Sequence, residues 1–308
     1  MNSMPFGSWL VVAVLRVVAR LPFRWLHKIG AAGGRLVYAR SAGMRARIID
    51  NVRGARIAGE GDVAVERFAR ACAVELGKGM MEILPLWFGR VEDMMARVRL
   101  DASWDAVQPL LAAGKGVMFL TSHLGAFEVA GQFLAHNMKI TIMYRRPRIA
   151  WLDPVLRHAR AQGQARLTTA DTRGVRALLQ ALKKGEAIGL LPDQVPAKGH
   201  GVMADFFGRP AYTTTLIGRL QQATGAAVFV MCCRRLPDAA GFELSFHPLI
   251  APLPADDAAA ARALNAFQET IIRRCPEQYL WSYNRFKAPS GASPPVERPP
   301  AQPARAGS

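Results

Sequence analysis

From Gly116 onward the chain alternates short apolar runs with helix-period segments, and this alternation constrains its fold more than any other feature. The apolar runs predict strands near residues 116–122, 139–144, 187–192, 226–233 and 242–249. Helices are predicted near 125–136, 151–162, 173–184, 213–224 and 257–274. A chain written this way folds as an α/β protein with a sheet core covered by helices. Upstream, 44–58 and 64–87 also read as helices, and the methionines of the second read as core and groove lining. The length of 308 residues and the 51% hydrophobic content allow one large domain with a substantial core. No internal repeat is visible. From Ala288 the composition turns to Pro, Ala, Gly and Ser, which predicts a disordered tail over 288–308.

The first of the predicted strands carries the chemistry. The apolar run 117–120 ends in Thr121-Ser122 and delivers His123; Gly125 follows, then a helical pattern containing Glu128. A histidine at a strand end lies at the mouth of a sheet, where α/β enzymes keep reactive groups. On one continuous helix, a spacing of five residues would turn the two side chains about 140° apart. With His123 in the loop before the helix, the Glu128 carboxylate can reach one imidazole nitrogen and leave the other to accept a proton. The plainer alternative is a satisfied polar residue at a strand end. Ser122 is a possible nucleophile, but neighbours on a strand face opposite ways, and no Gly-x-Ser-x-Gly elbow surrounds it.

A net charge of +17 calls for an anionic partner. Nucleic acid is the weakest choice, because no zinc-finger, helix-turn-helix or aromatic-rich RNA-binding pattern accompanies the charge. The arginines are spread along amphipathic segments instead, which suits an anionic membrane face, and an acidic protein would respond to the same field. Residues 9–21 are apolar, broken by Arg16 and Arg20, and followed by Phe23-Arg24-Trp25. At about 13 residues the run is short of the ~20 that a full span needs. It reads as an amphipathic or partly inserted helix whose arginines reach the headgroups; a buried first helix and a signal peptide are the alternatives. Cys72, Cys232, Cys233 and Cys275 have no metal-ligand spacing and read as packing residues of a reduced compartment. Neither a metal site nor a cofactor is expected.

An ordered set of motifs resembles the lipid A biosynthesis acyltransferases, the late lauroyl and myristoyl transferases. The set opens with Gly114-Lys115-Gly116 leading to His123-x4-Glu128, followed by Tyr144-Arg145-Arg146-Pro147 and by Leu182-Lys-Lys-Gly-Glu186. Leu190-Leu-Pro-Asp193-Gln194 and Asp205-Phe206-Phe207-Gly208 come next. The last is Ile271-Ile-Arg-Arg-Cys-Pro-Glu-Gln-Tyr-Leu-Trp281 with Asn284-Arg285-Phe286-Lys287. The resemblance covers roughly residues 8–287. It implies a mostly parallel sheet of the glycerolipid acyltransferase type with an N-terminal membrane-associated helix over 1–25 and the acyltransferase domain over 26–287. Family members often carry a histidine near the tryptophan, where Tyr283 and Asn284 stand here. The phosphatidic acid branch has Asn-His-x4-Asp, whereas this chain has Ser122 before the histidine and Glu128 after it.

What the resemblance implies is transfer of a fatty acyl chain from an acyl carrier protein thioester to a hydroxyl of a lipid A precursor, at the cytoplasmic face of the inner membrane. His123 would be the general base and Glu128 would orient it. Arg160, Arg145 and Arg146 would hold the anionic glycolipid, and Asp193 would be a further polar group pointing at the site. Backbone N–H groups near Gly125 are candidates to stabilise the oxyanion. Phe206-Phe207-Gly208 reads as a packed turn more readily than as lining of the acyl path. The alternatives are the same chemistry on a glycerolipid, an ornithine lipid or another glycolipid, and a non-catalytic basic membrane-binding protein.

Overall fold

Val117 and Phe119 of the first core strand pack into one hydrophobic cluster, Met118 and Leu120 into another, and all four are fully buried. The next strands repeat the division, with Val228, Val230 and Ile188 on one side and Phe229, Met231 and Ala187 on the other. A strand buried on both faces loses the polar half of the period-two pattern and is written as a continuous apolar run. That is why the core strands were legible.

The computed structural model describes residues 6–147 and 152–289. Its N-terminal part is helical: α1 (Phe6–Val18), α2 (Phe23–Arg40), α3 (Ala42–Gly54), α4 (Asp62–Phe88) and α5 (Val91–Met95). The α/β part follows with β1 (Val98–Leu100), α6 (Gln108–Ala112), β2 (Val117–Gly125), α7 (Phe127–Asn137), β3 (Ile140–Tyr144) and α8 (Leu152–Arg160). Next come β4 (Ala165–Thr169), α9 (Thr172–Lys183), β5 (Ala187–Leu190), β6 (Gly201–Phe206) and β7 (Arg209–Thr214). The chain continues through α10 (Leu216–Thr224), β8 (Ala227–Arg235), β9 (Phe242–Pro248) and α11 (Asp257–Ile272). The sheet order is β1-β9-β8-β2-β5-β3-β4. Strands β8, β2, β5, β3 and β4 run parallel, while β9 is antiparallel to β8 and carries β1 parallel to itself. The sheet is therefore mostly parallel, as expected.

Edge elements escaped the sequence reading. Strand β4 is half-buried with Leu167 as its one large apolar residue, and β1 has three residues. The separate β6–β7 hairpin occupies part of the segment expected to start a helix at 213. Its turn, Phe207-Gly208, has positive φ at both residues (51° and 71°), as a two-residue hairpin requires. Phe206 and Phe207 are buried in the core, so the segment is a packed turn. Most of the expected tail, residues 290–308, and Trp151 at the start of an expected helix lie outside the described residues.

Among the described residues no helix is long and apolar enough to cross a membrane. Helix α1 has 13 residues, and exposed Val11, Val14 and Val17 lie along it at helical spacing. Exposed Leu21, Trp25, Ile29, Leu36 and Val37 continue the apolar surface along α2. On its other face α2 packs on α4 with backbones close together, and a Cβ at Gly77 would run into the Gly30 carbonyl. A buried ionic cluster joins the same helices to β8. Glu82 accepts from His27 Nε2 at 2.7 Å and from two nitrogens of Arg235, whose Nη1 also donates to Glu75 at 2.8 Å.

Candidate active site

Strand β2 keeps register with β8 through Thr121↔Met231 and regains it at Gly125↔Cys233, so Ser122, His123 and Leu124 stand opposite Cys232 alone. The bulge bends the strand and re-aims its side chains. Leu280 N–H donates to the His123 carbonyl at 3.0 Å, and Leu124 bridges to Tyr279. Gly125 closes the bulge with φ +58°, and a Cβ there would run into the Cys233 carbonyl oxygen. Helix α7 then begins at Phe127.

The bulge aims the His123 ring at the end of β5, the parallel neighbour of β2. Asp193, three residues past β5, accepts from His123 Nδ1 at 2.8 Å with one oxygen and from the His123 backbone N–H at 2.8 Å with the other. Burial alone would raise the Asp193 carboxyl. The His123 charge and these two hydrogen bonds outweigh burial and hold it below the usual carboxylate value. An ionised carboxylate only accepts, so Nδ1 carries a proton, and in the neutral ring Nε2 then keeps its lone pair. Gln194 Nε2 lies 3.0 Å from that nitrogen and donates to it. Behind Asp193, burial and the carboxylate push the Tyr279 phenol well above its ordinary value.

This arrangement corrects the expected partner of the imidazole. Glu128, in the first turn of α7, is bonded to Arg160 rather than His123: Arg160 Nε donates to Glu128 Oε2 at 3.0 Å and Nη2 donates to Oε1. Burial would lower the Arg160 guanidinium, but the Glu128 charge and hydrogen bonds raise it overall. Arg160, expected to grip substrate, thus has its fork engaged by a carboxylate, with Trp87 6.0 Å from its centre. Asp193 does point at the site, but as a partner of the base rather than as a contact for the anionic substrate. It is 2% exposed, with an oxygen on each of two His123 donors, and faces the base rather than the cavity.

His123, Gln194, Glu128, Arg160 and Arg145 line a cavity of about 370 Å³ whose deeper wall is apolar, with Phe119, Leu134, Ile140 and Met231. Arg146 is exposed and is not part of that lining. A second, smaller cavity of about 140 Å³, lined by Leu76, Met80 and Ile83 of α4 with Phe127 and Leu280, also reaches His123. The imidazole therefore stands between two spaces. Ser122 is buried and donates to Gln268 Oε1 at 3.1 Å on the far side of the strand. The four cysteines are free and buried, and no group of three metal-ligating side chains occurs among the described residues. The Ala126 N–H near the helix start is bonded to the Cys233 carbonyl at 2.8 Å and is not available to an oxyanion.

Gln194 is the site residue that the sequence reading did not single out. Its only signal was its place beside Asp193 at the end of a core strand.

The chain is similar in sequence to known proteins over most of its length. The chain is 27% identical over 288 residues to the lipid A biosynthesis lauroyltransferase of Escherichia coli K12, covering 91% of each protein. It is 29% identical over 223 residues to the palmitoleoyltransferase of that strain, 71% of each, and 26% identical over 290 residues to its myristoyltransferase, 92% of this chain and 87% of the relative. A family profile described as bacterial lipid A biosynthesis acyltransferase matches residues 3–288. With that match running from α1 through His123, Asp193 and the C-terminal Trp281 segment, the chain belongs to the bacterial lipid A biosynthesis acyltransferases.

Proposed function

We propose that the chain transfers a fatty acyl group from an acyl carrier protein thioester to a hydroxyl of a lipid A precursor, with His123 as general base. The observation that carries this reading is the Nδ1 hydrogen bond to buried Asp193, which leaves Nε2 directed at the cavity. The acceptor hydroxyl attacks the thioester carbonyl carbon as Nε2 takes its proton. The tetrahedral intermediate collapses by breaking the C–S bond, and the leaving thiolate recovers the proton from the imidazolium. Asp193 fixes the ring tautomer and stabilises the imidazolium between these steps. Glu128 acts through Arg160, holding the guanidinium at the cavity wall, and Arg145 at the same wall is exposed and suited to an anionic headgroup.

The enzyme works at the cytoplasmic face of the inner membrane. The exposed apolar surface of α1 and α2, interspersed with Arg16, Arg20, Arg24 and Arg35, supports docking on an anionic lipid surface. The charge of +17 also suits an acidic carrier protein.

Membranes holding the wild-type chain or His123→Ala are incubated with acyl carrier protein thioesters of several chain lengths and a Kdo-bearing tetra-acylated precursor. Mass spectrometry is expected to find one added acyl chain with the wild type and none with the variant. Folded wild-type protein that adds no chain from any thioester would sink the lipid A assignment and leave other lipid acceptors to be tried.

A further inference from the structure

We infer that Gln194 is a catalytic residue: its amide caps the proton-accepting nitrogen of His123 in the free enzyme and donates to the thioester carbonyl oxygen during transfer. The inference rests on the reading of His123 as the base.

Nε2 of a neutral imidazole has a single lone pair. In the free protein that lone pair accepts from Gln194 Nε2 at 3.0 Å, so an acceptor hydroxyl can engage the base only by displacing the amide. The displaced amide cannot go far, because the backbone on both sides of it is held. Asp193 is tied to His123 through both carboxylate oxygens, and the Val195 N–H donates to the Tyr283 hydroxyl at 3.0 Å. Gln194 is half-buried and lines the cavity, leaving its side chain free to swing there.

Geometry then limits where the released N–H can act. The attacking oxygen hydrogen-bonds to Nε2 and approaches the thioester carbon at roughly 3–3.5 Å. The carbonyl oxygen on that carbon therefore develops its charge next to the attacking oxygen, within reach of the amide displaced from Nε2. Of the donors near the imidazole, the Ala126 N–H is spent on the Cys233 carbonyl, and Arg160 turns Nε and Nη2 toward Glu128. A neutral amide is suited to both roles. It donates to the lone pair without placing charge beside the base, and it donates to an oxyanion without releasing a proton of its own.

The test uses the full-length chain with an acyl carrier protein thioester and the lipid precursor. Wild type, Gln194→Ala, Gln194→Glu and His123→Ala are compared by steady-state kinetics and by ¹⁵N NMR of the histidine ring. Removing one oxyanion donor costs about 10²–10³-fold in kcat, so Gln194→Ala is expected to lose kcat on that scale. Its KM for the acceptor should stay level or fall, since the hydroxyl no longer competes with an amide. Gln194→Glu keeps the shape but sets a negative charge against the oxyanion, and should lose more. The Nε2 resonance of His123 should shift in Gln194→Ala with the melting temperature unchanged, which separates this role from a structural one. Wild-type kcat in Gln194→Ala, a loss carried wholly by KM, or an unmoved Nε2 resonance overturns the inference while leaving the base reading intact. Transfer that survives in His123→Ala overturns both.

Discussion

Asp193 holds His123 at two points, one carboxylate oxygen on the ring Nδ1 and the other on the backbone N–H, both at 2.8 Å. The double contact fixes the ring's tautomer and its position together, so Asp193→Asn should weaken both. An amide can still meet one donor, but it leaves the imidazolium without its counter-charge. The expected loss in kcat is about 10²–10⁴-fold with acceptor KM little changed. Glu128→Gln leaves the His123–Asp193 contact intact and should cost less in kcat. Steady-state kinetics of the two variants checks the order, and a larger kcat loss for Glu128→Gln would return Glu128 to the role first expected of it.

Glu128 and Arg160 should behave as one unit. Each single substitution strands a charged partner at the cavity wall, whereas replacing both removes the two charges together. A double-mutant cycle with Glu128→Gln and Arg160→Gln is expected to show a coupling of about 1–3 kcal/mol in kcat/KM, the double variant being less impaired than the sum. Strict additivity would mean that the pair does not cooperate in the working enzyme.

The fold was legible where burial is two-sided and the site where it is local. The runs containing 117–120 and 227–233 have no polar period to mislead, and their predicted bounds fall close to the observed strands. His123 announced itself as a polar residue ending such a run. Its partner did not, because proximity along the chain favours Glu128 while proximity in a parallel sheet favours the end of β5, 70 residues on. Pairing of β2 with β5 is a tertiary fact, and only the family resemblance pointed to Asp193 in advance. Nor could spacing reveal the bulge, which depends on the Cys233 carbonyl lying against Gly125. Strand β4 was missed for the opposite reason: an edge strand with one large apolar residue has almost no pattern to read.

The buried cluster around Glu82 should set the acid stability of the helical part. Burial alone would raise the Glu82 carboxyl, but Arg235 and His27 hold it below its ordinary value. A carboxyl depressed on folding binds fewer protons in the folded than in the unfolded chain. Its stabilisation is present above the unfolded value of about 4.3 and is lost as pH falls through the lower folded value. Glu82→Gln should therefore flatten the acid limb of the stability profile. It should also cost about 3–5 kcal/mol at neutral pH, because Arg235 is left buried with Glu75 as its remaining carboxylate. Denaturant unfolding at pH 7 and through the acid range measures both, and an acid limb as steep as wild type would remove Glu82 from this role.

Gly125 links the fold to the chemistry most directly. Its φ of +58° lies in the left-handed region, and a Cβ there would run into a backbone carbonyl that belongs to a core strand and cannot yield. Gly125→Ala must therefore move its own backbone, at a cost of about 1–3 kcal/mol. The displacement reaches His123 two residues earlier, whose carbonyl is tied to Leu280 and whose ring is tied to Asp193. Activity should fall further than the stability loss explains, with kcat reduced in protein that is still folded at the assay temperature. Gly33→Ala provides the contrast: Gly33 is an exposed α2 residue with a negative φ and nothing within 4 Å of an added Cβ. That change should raise stability by up to about 1 kcal/mol and leave kcat alone. Thermal unfolding and single-turnover transfer assays on both variants decide the matter, and a Gly125→Ala chain with wild-type kcat would show that the bulge need not be rigid for the base to work.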